Sequence, residues 1–372
     1  MDNKKSEILI SAVGDISLGE HPFCVGWGVR SVIHSKGEKF IFSNVKKIFE
    51  KSDIVFGNLE GVLFDIPSKS SALKDNIFRG DESFIKVLKS ANFNVLVIAN
   101  NHILQYGEEG FKRTVGLLNS GNIAPLGIRA HDGCFHCKPV IIKRKNLSVA
   151  MLAYSLIKDS LSMKDVYYAY GEREKIINDI KLLKNKVDFI VIALHWGLEL
   201  IDKPSHDIVT FAHDLIDNGC DVILGAHSHV FQGIERYKNG LICYSLGNFV
   251  FDIVWNKDQN RTFIADIRLS REYGVKYKLI PVIINEKTYQ PCLVDSSEDC
   301  RKAVMCADEL SKSIFNEDRL DGENKRFDYY MKVNRLSWRN QLLKLLFLIK
   351  NFYRVKWIKY LKYKIKEKSL RK

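Results

Sequence analysis

Val222-Ile223-Leu224-Gly225-Ala226-His227-Ser228-His229 is a short apolar run that stops in two imidazoles one residue apart. A few branched aliphatics bounded by small residues read as a buried strand, so the residues after them belong to a loop at the strand's end. The same punctuation recurs on either side. Residues 189–194 stop at His195-Trp196-Gly197-Leu198-Glu199, and residues 95–99 stop at Asn100-Asn101-His102. Residues 54–56 stop at Gly57-Asn58-Leu59-Glu60, and residues 8–13 stop at Gly14-Asp15. Residues 149–154 form another apolar run, and helical spacing fills 83–90, 108–119, 172–184 and 207–217. Strands alternating with helices imply a parallel sheet under helical cover. In open α/β sheets ligands bind beyond the carboxyl ends of the strands, so five such loops can converge on one site.

After Asn248 the texture becomes β-like over 262–269, 275–284 and 290–294, as expected of antiparallel strands that complete the same domain. A helical pattern near 297–315 and a charged stretch lead into a basic end. The expected organisation is one α/β domain over residues 1–296, a helix and charged linker over 297–334, and a basic amphipathic tail over 335–372.

With 372 residues and 46% hydrophobic content the chain can bury a large core. Its net charge of +13 resembles that of a nucleic-acid binder until its location is counted. Residues 335–372 hold 13 of the 57 Lys and Arg against one acid, Glu367, which leaves 44 bases and 43 acids in the body. A neutral body makes nucleic acid an unfavoured partner. The polar residues 1–7 and the brief apolar run after them are too short for a signal peptide or a span, so the expected location is cytoplasmic. Eight scattered cysteines, with Cys134 and Cys137 as the one close pair, imply reduced thiols rather than a disulfide framework.

Carboxylate, amide carbonyl and neutral imidazole are oxygen and nitrogen donors, suited to manganese, iron or zinc better than to calcium. One carboxylate can bridge two cations about 3.5–4 Å apart, so one or two divalent ions are expected. Singly, each residue has a plainer reading. Asp15 could cap a turn, His195 could be a hydrogen-bonded core histidine, Trp196 could be core, and Asn248 could close a Gly-Asn turn. His227 and His229 would share one face of a strand. Coincidence at five successive strand ends is what favours a site.

These strings resemble a known family. Val13-Gly14-Asp15-Ile16, Asn58-Leu59-Glu60, Ala99-Asn100-Asn101-His102, His195-Trp196-Gly197 with Glu199, Gly225-Ala226-His227-Ser228-His229-Val230 and Tyr244-Ser245-Leu246-Gly247-Asn248-Phe249 are similar to the CapA-type capsule synthesis proteins. That family, also described as poly-gamma-glutamate capsule proteins, has a calcineurin-like metallophosphatase fold, a layered sheet sandwich flanked by helices. The resemblance implies that Asp15, Glu60 and His229 hold one metal and that Glu60, Asn101, His195 and His227 hold another. It implies that His102 is a catalytic acid or charge stabiliser, with Gln105 as its support. Trp196, Glu199 and Asn248 would support the ligands or wall the substrate. Two departures bear on turnover: Ser17 stands where metallophosphatases usually have histidine, and Gln105 stands where the family commonly has aspartate.

The function implied is a metal-dependent hydrolase, cleaving a phosphoester or an amide, in capsule, exopolysaccharide or poly-gamma-glutamate biosynthesis. Its partners would be a surface polymer or the machinery that makes it. A non-catalytic polymer-binding or assembly factor on the same fold is the alternative, and a nuclease-like phosphoesterase is the third reading. In the tail, Leu342 to Ile349 and Phe352 to Tyr363 mix apolar and aromatic residues with Lys and Arg, with no apolar stretch long enough to span a bilayer. That mixture reads as an interfacial helix on an anionic inner membrane face, or as a segment docked on the protein's own domain.

Overall fold

The computed structural model describes residues 6–66, 77–131, 134–157, 167–314, 335, 338–357 and 360. Two sheets carry the fold. The larger has eight strands, in the order Pro291–Leu293, Gly274–Ile284, Arg261–Ser270, Ile8–Ile16, Ile54–Leu59, Val95–Val97, Ala124–Leu126, with Asn248–Val250 paired beside the end of Ile8–Ile16. The smaller has six, in the order Phe231–Tyr237, Gly240–Leu246, Val222–Ala226, Phe189–His195, Leu147–Ser155, Val140–Arg144. Within each sheet the strands that end at the quoted loops run parallel to one another. The three strands after residue 260 are antiparallel and extend the larger sheet from Ile8–Ile16.

Strand alternation builds the layers. Val149, Met151, Val191, Ala193, Val222 and Leu224 point from the smaller sheet into a main core shared with Ile10, Ala12, Phe56 and Val97 of the larger one. Ala150, Leu152, Ile190, Ile192 and Ile223 point the other way, beneath helices Arg173–Leu183 and His206–Asn218, and form a second core with Ile176, Ile180, Phe211 and Leu215. A one-residue slip of Phe189–His195 would exchange these sets and send His195 to the wrong side. At about 1.5–3 kcal/mol for each buried aliphatic, the packing forbids that slip.

The helix expected at the start of the linker spans Ser297–Ser313 and packs on Phe231–Tyr237 through buried Ala307, with Ser311 Oγ accepting from Ile234 N at 2.9 Å. The remaining linker residues, 315–334, and tail residues 336–337, 358–359 and 361–372 lie outside the described residues. Residues 338–350 are helical and dock on the domain with one face. Among the described residues no helix is long and apolar enough to cross a membrane. All eight cysteines are free thiols.

Candidate metal centre

Each candidate donor is delivered by a strand end. Asp15 sits in the last turn of pairing of Ile8–Ile16, where the register shifts against both neighbours and Asp15 N donates to Gly247 O at 2.9 Å. The chains approach so closely that a Cβ on Gly14 would lie 1.8 Å from Gly247 O, which explains the glycine. Glu60 follows Ile54–Leu59 and is held by its own N–H on Ile16 O at 2.8 Å. Asn101 and His102 follow Val95–Val97, and His195 is the last residue of Phe189–His195. Asp15, Glu60 and Asn101 thus come from the larger sheet and the three histidines from the smaller, so the site straddles one end of the sandwich.

His227 and His229 arrive differently from the strand alternation expected for them. Val222–Ala226 ends before either residue. Both then adopt left-handed backbone, with φ of 94° and 59°, while Ser228 Oγ donates to Val230 O at 2.7 Å. Strained non-glycine conformations of this kind cost of order 1–3 kcal/mol each and persist where surroundings enforce them. Here they turn two imidazoles toward one centre.

Two groups of potential ligands form, Glu60 with His195 and His227, and Asp15 with Glu60 and His229; within each, the donor atoms lie within 4.8 Å of one another. Glu60 belongs to both. His195 and His227 have ring centroids 4.6 Å apart, and His227 and His229 6.3 Å. Asn101 Oδ1 lies 2.9 Å from His195 Nε2, close to the separation of neighbouring ligands on one ion with bonds of about 2.0–2.1 Å. Glu60 is fully buried, yet neither of its carboxylate oxygens has a hydrogen-bond partner, and His227 Nδ1 is buried without one as well. Other buried atoms also lack partners, both amide atoms of Gln259 among them, but only the Glu60 and His227 atoms belong to a ligand group, and there a cation fits what they lack.

The electrostatics point the same way. Burial pushes the Glu60 carboxyl up, against the pull of His229. Burial would lower His229, but the carboxylates of Glu60 and Asp15 outweigh it and hold the imidazole's proton up to about 10. Burial drives His227 and His102 down to about 4, and His195 well below its usual value. Near neutral pH those three rings keep lone pairs to donate, and the carboxylate group around His229 stores a proton that a cation can displace.

The supporting residues divide. Asn248 Oδ1 lies 2.9 Å from His229 Nδ1 and orients that ring. Gln105 Oε1 lies 3.2 Å from His102 Nδ1, while His102 Nε2 is 3.7 Å from Glu60 Oε1. Glu199 is exposed at the rim and acts by charge on Glu60, His102, His227 and His229. Trp196 cannot wall a substrate. Its indole is 1% exposed in the second core, stacks on Tyr244 and donates to Tyr244 O at 2.8 Å, because it follows His195 by one residue and faces away. Asn58 was carried in the sequence only as part of Glu60's string, yet its Nδ2 donates to Asp15 Oδ1 at 2.8 Å and lies 3.3 Å from His195 Nδ1. Positions 58 and 60 share a strand face, which was the available signal. Phe78, tilted against His102 with ring centroids 4.2 Å apart, and Phe251, 5.0 Å from His229, add an aromatic wall that no sequence feature marks.

An α/β sandwich whose two sheets direct carboxylate, amide and imidazole donors at one shared carboxylate is an α/β protein with a candidate two-metal centre. Family comparison agrees with the motifs. The chain belongs to the family described as "Bacterial capsule synthesis protein PGA_cap", which matches residues 9–253. Its relatives include the PGA biosynthesis protein CapA of Bacillus subtilis (strain 168), 32% identical over 289 residues that cover 77% of this chain and 74% of that protein. They also include the capsule biosynthesis protein CapA of Bacillus anthracis, 29% identical over 300 residues that cover 77% and 70%. Among solved structures, a 5'-nucleotidase from Candida albicans SC5314 is similar with a TM-score of 0.40 and 14% identity, over 86% of this chain and 60% of that one. That similarity is too distant to bear on activity.

Proposed function

We propose that this chain is a metal-dependent hydrolase that acts in the biosynthesis of a bacterial capsule or related surface polymer. The observation that supports it best is Glu60, a buried carboxylate with no hydrogen bond to either oxygen and a place in both ligand groups. Asp15, Glu60 and His229 would hold one ion, and Glu60, Asn101, His195 and His227 a second. Ions held there supply Lewis acidity toward a phosphoryl or carbonyl oxygen and toward water. The chain's own residues do the rest. Asn58 and Asn248 fix the orientations of His195, Asp15 and His229 through their amides. With Gln105 Oε1 on Nδ1, His102 turns Nε2, 3.5 Å from Asn101 Nδ2, toward the site for carrying a proton to or from the reacting group, and Phe78 lies against its ring. The relatives' names point to capsule and PGA biosynthesis as the setting.

A second reading, a non-catalytic polymer-binding or assembly factor, draws on Ser17 and Gln105. Ser17 offers a buried hydroxyl rather than an imidazole, and an amide beside His102 stabilises an imidazolium less than a carboxylate does. The two readings separate in one experiment: load the purified chain with manganese, iron or zinc, then assay a phosphodiester and a γ-glutamyl substrate. Metal-dependent turnover of either supports the hydrolase. Stoichiometric metal with no turnover of both supports the binding factor.

A further inference from the structure

The helix over residues 338–350 has two faces with opposite fates. One is docked on the body. Asn340 is 5% exposed and its Oδ1 accepts from Asn256 Nδ2 at 2.8 Å; Phe347 stacks on Trp27 at 5.9 Å and packs on Trp255 at 5.4 Å. Lys344 Nζ lies 4.9 Å over the Phe23 ring, and beyond the helix Val355 is buried. At 3.6 residues per turn, positions 340, 344, 347 and 351 fall on one line. Trp338, Leu342, Leu345, Leu346 and Ile349 fall on the opposite one, and they are 78%, 57%, 53%, 53% and 62% exposed. Phe352 and Tyr353 extend that stripe into the following turn, at 55% and 100%. Exposed Arg339 and Lys350 lie along one side of it, Arg339 paired with Asp258 at 3.1 Å, and Arg335 is exposed before the helix.

A contiguous line of large apolar side chains facing water marks an interaction surface. Charge selects its occupant. Residues 335–372 carry 13 basic residues and one acid, so pairing two copies through this stripe would press two strongly positive segments together. The same charge favours an anionic surface. An apolar stripe within a strongly basic segment, with Trp and Tyr at its ends, matches the headgroup boundary of a bilayer.

We propose that this stripe is the surface on which the protein lies against an anionic lipid bilayer, with the docked helix acting as a plate rather than a loose tether. Ring contacts connect the plate to the metal centre: Phe347 to Trp255, Trp255 to His21 at 5.3 Å, His21 to Phe78 at 5.8 Å, and Phe78 to His102 at 4.2 Å. The body therefore meets the membrane in one orientation, with the metal centre a few side chains from the plate. This holds whether or not the centre is catalytic.

The test uses the full chain and the variant Leu342→Gln, Leu345→Gln, Leu346→Gln and Ile349→Gln, whose replaced side chains face outward. Vesicles of mixed phosphatidylglycerol and phosphatidylcholine are compared with vesicles of phosphatidylcholine alone by co-sedimentation, and oligomeric state is read by light scattering. Circular dichroism and metal content check that the variant is folded. The unaltered chain should bind the anionic vesicles and not the neutral ones. The variant should lose roughly 10²–10⁴-fold in partitioning, the scale expected when four half-immersed aliphatic side chains are removed. In vesicles with brominated phosphatidylglycerol, Trp338→Phe should remove much of the fluorescence quenching. Equal binding by variant and unaltered chain would overturn the proposal, since charge alone would then account for it. So would an unaltered chain that ignores vesicles, including one that forms a dimer which the variant splits.

Discussion

Replacing Glu60 by Gln preserves the side chain's shape and removes its charge, and the structure makes the consequence depend on metal. In the metal-free protein both Glu60 oxygens are buried without a hydrogen-bond partner. An unsatisfied buried group costs about 1–3 kcal/mol, so an amide able to donate to the nearby carboxylate of Asp15 should leave stability unchanged or raise it by up to that amount. Burial already pushes the Glu60 carboxyl up, which limits the gain. Metal reverses the advantage. At a metal concentration of 100 times Kd, binding adds about 2.7 kcal/mol to the native state. Because Glu60 belongs to both ligand groups, Glu60→Gln should forfeit nearly all of that increment. Urea unfolding followed by tryptophan fluorescence, once in EDTA and once in Mn²⁺, gives the increment for each protein separately. Equal increments would refute the shared-ligand argument. A loss of more than about 3 kcal/mol in EDTA would show that the carboxylate is supported by the protein itself rather than waiting for a cation.

His102→Ala should keep metal content near that of the unaltered chain and lower hydrolysis by roughly 10²–10⁴-fold, the range for a positioned proton carrier; loss of metal would make His102 a ligand instead. Trp196→Phe removes the bond to Tyr244 O at 2.8 Å and should cost about 1–3 kcal/mol with metal content unchanged, because the indole faces the second core. A drop in metal affinity there would contradict that placement. Metal affinity should depend on pH. His229 keeps its proton up to about 10 in the metal-free protein, so coordination through its ring must release that proton. Below that pKa a rise in pH helps the metal, by about tenfold in Kd per unit between pH 7 and 9 for one proton released. Calorimetry in two buffers of different ionisation heat counts the proton, and a pH-independent Kd would contradict the assignment.

The strand-end loops were legible because each follows an uninterrupted apolar run, and although Asp15 or His195 alone could be a turn cap or a core histidine, polar residues at five successive strand ends mark one end of the sheet. Trp196, expected beside the ligands or the substrate, lies in the core because it follows His195 by one residue and faces the other way. What stayed hidden depends on backbone states and tertiary approach. Nothing in Ala226-His227-Ser228-His229 announces left-handed backbone at both histidines. Helices Val29–Lys36 and Lys46–Phe49 are too short for a clear period, and the strands Val62–Leu63 and Arg79–Gly80 too short for any. Phe78 and Phe251 read as ordinary core, since an aromatic has the same pattern in a core and beside a site. The tail's apolar residues were visible, but docking decides which of them, such as Phe347, turn inward and which, such as Leu346 and Ile349, remain outside.

Glu60 would join two cation sites, each with donors from both sheets. Anomalous scattering from crystals loaded with Mn²⁺ tests it most directly. Two peaks should appear about 3.5–4 Å apart, one beside Asp15 and His229 and the other beside Asn101, His195 and His227, with the Glu60 carboxylate between them. Peaks that leave Glu60 uncoordinated, or a metal bound elsewhere while these side chains keep their present contacts, would contradict it.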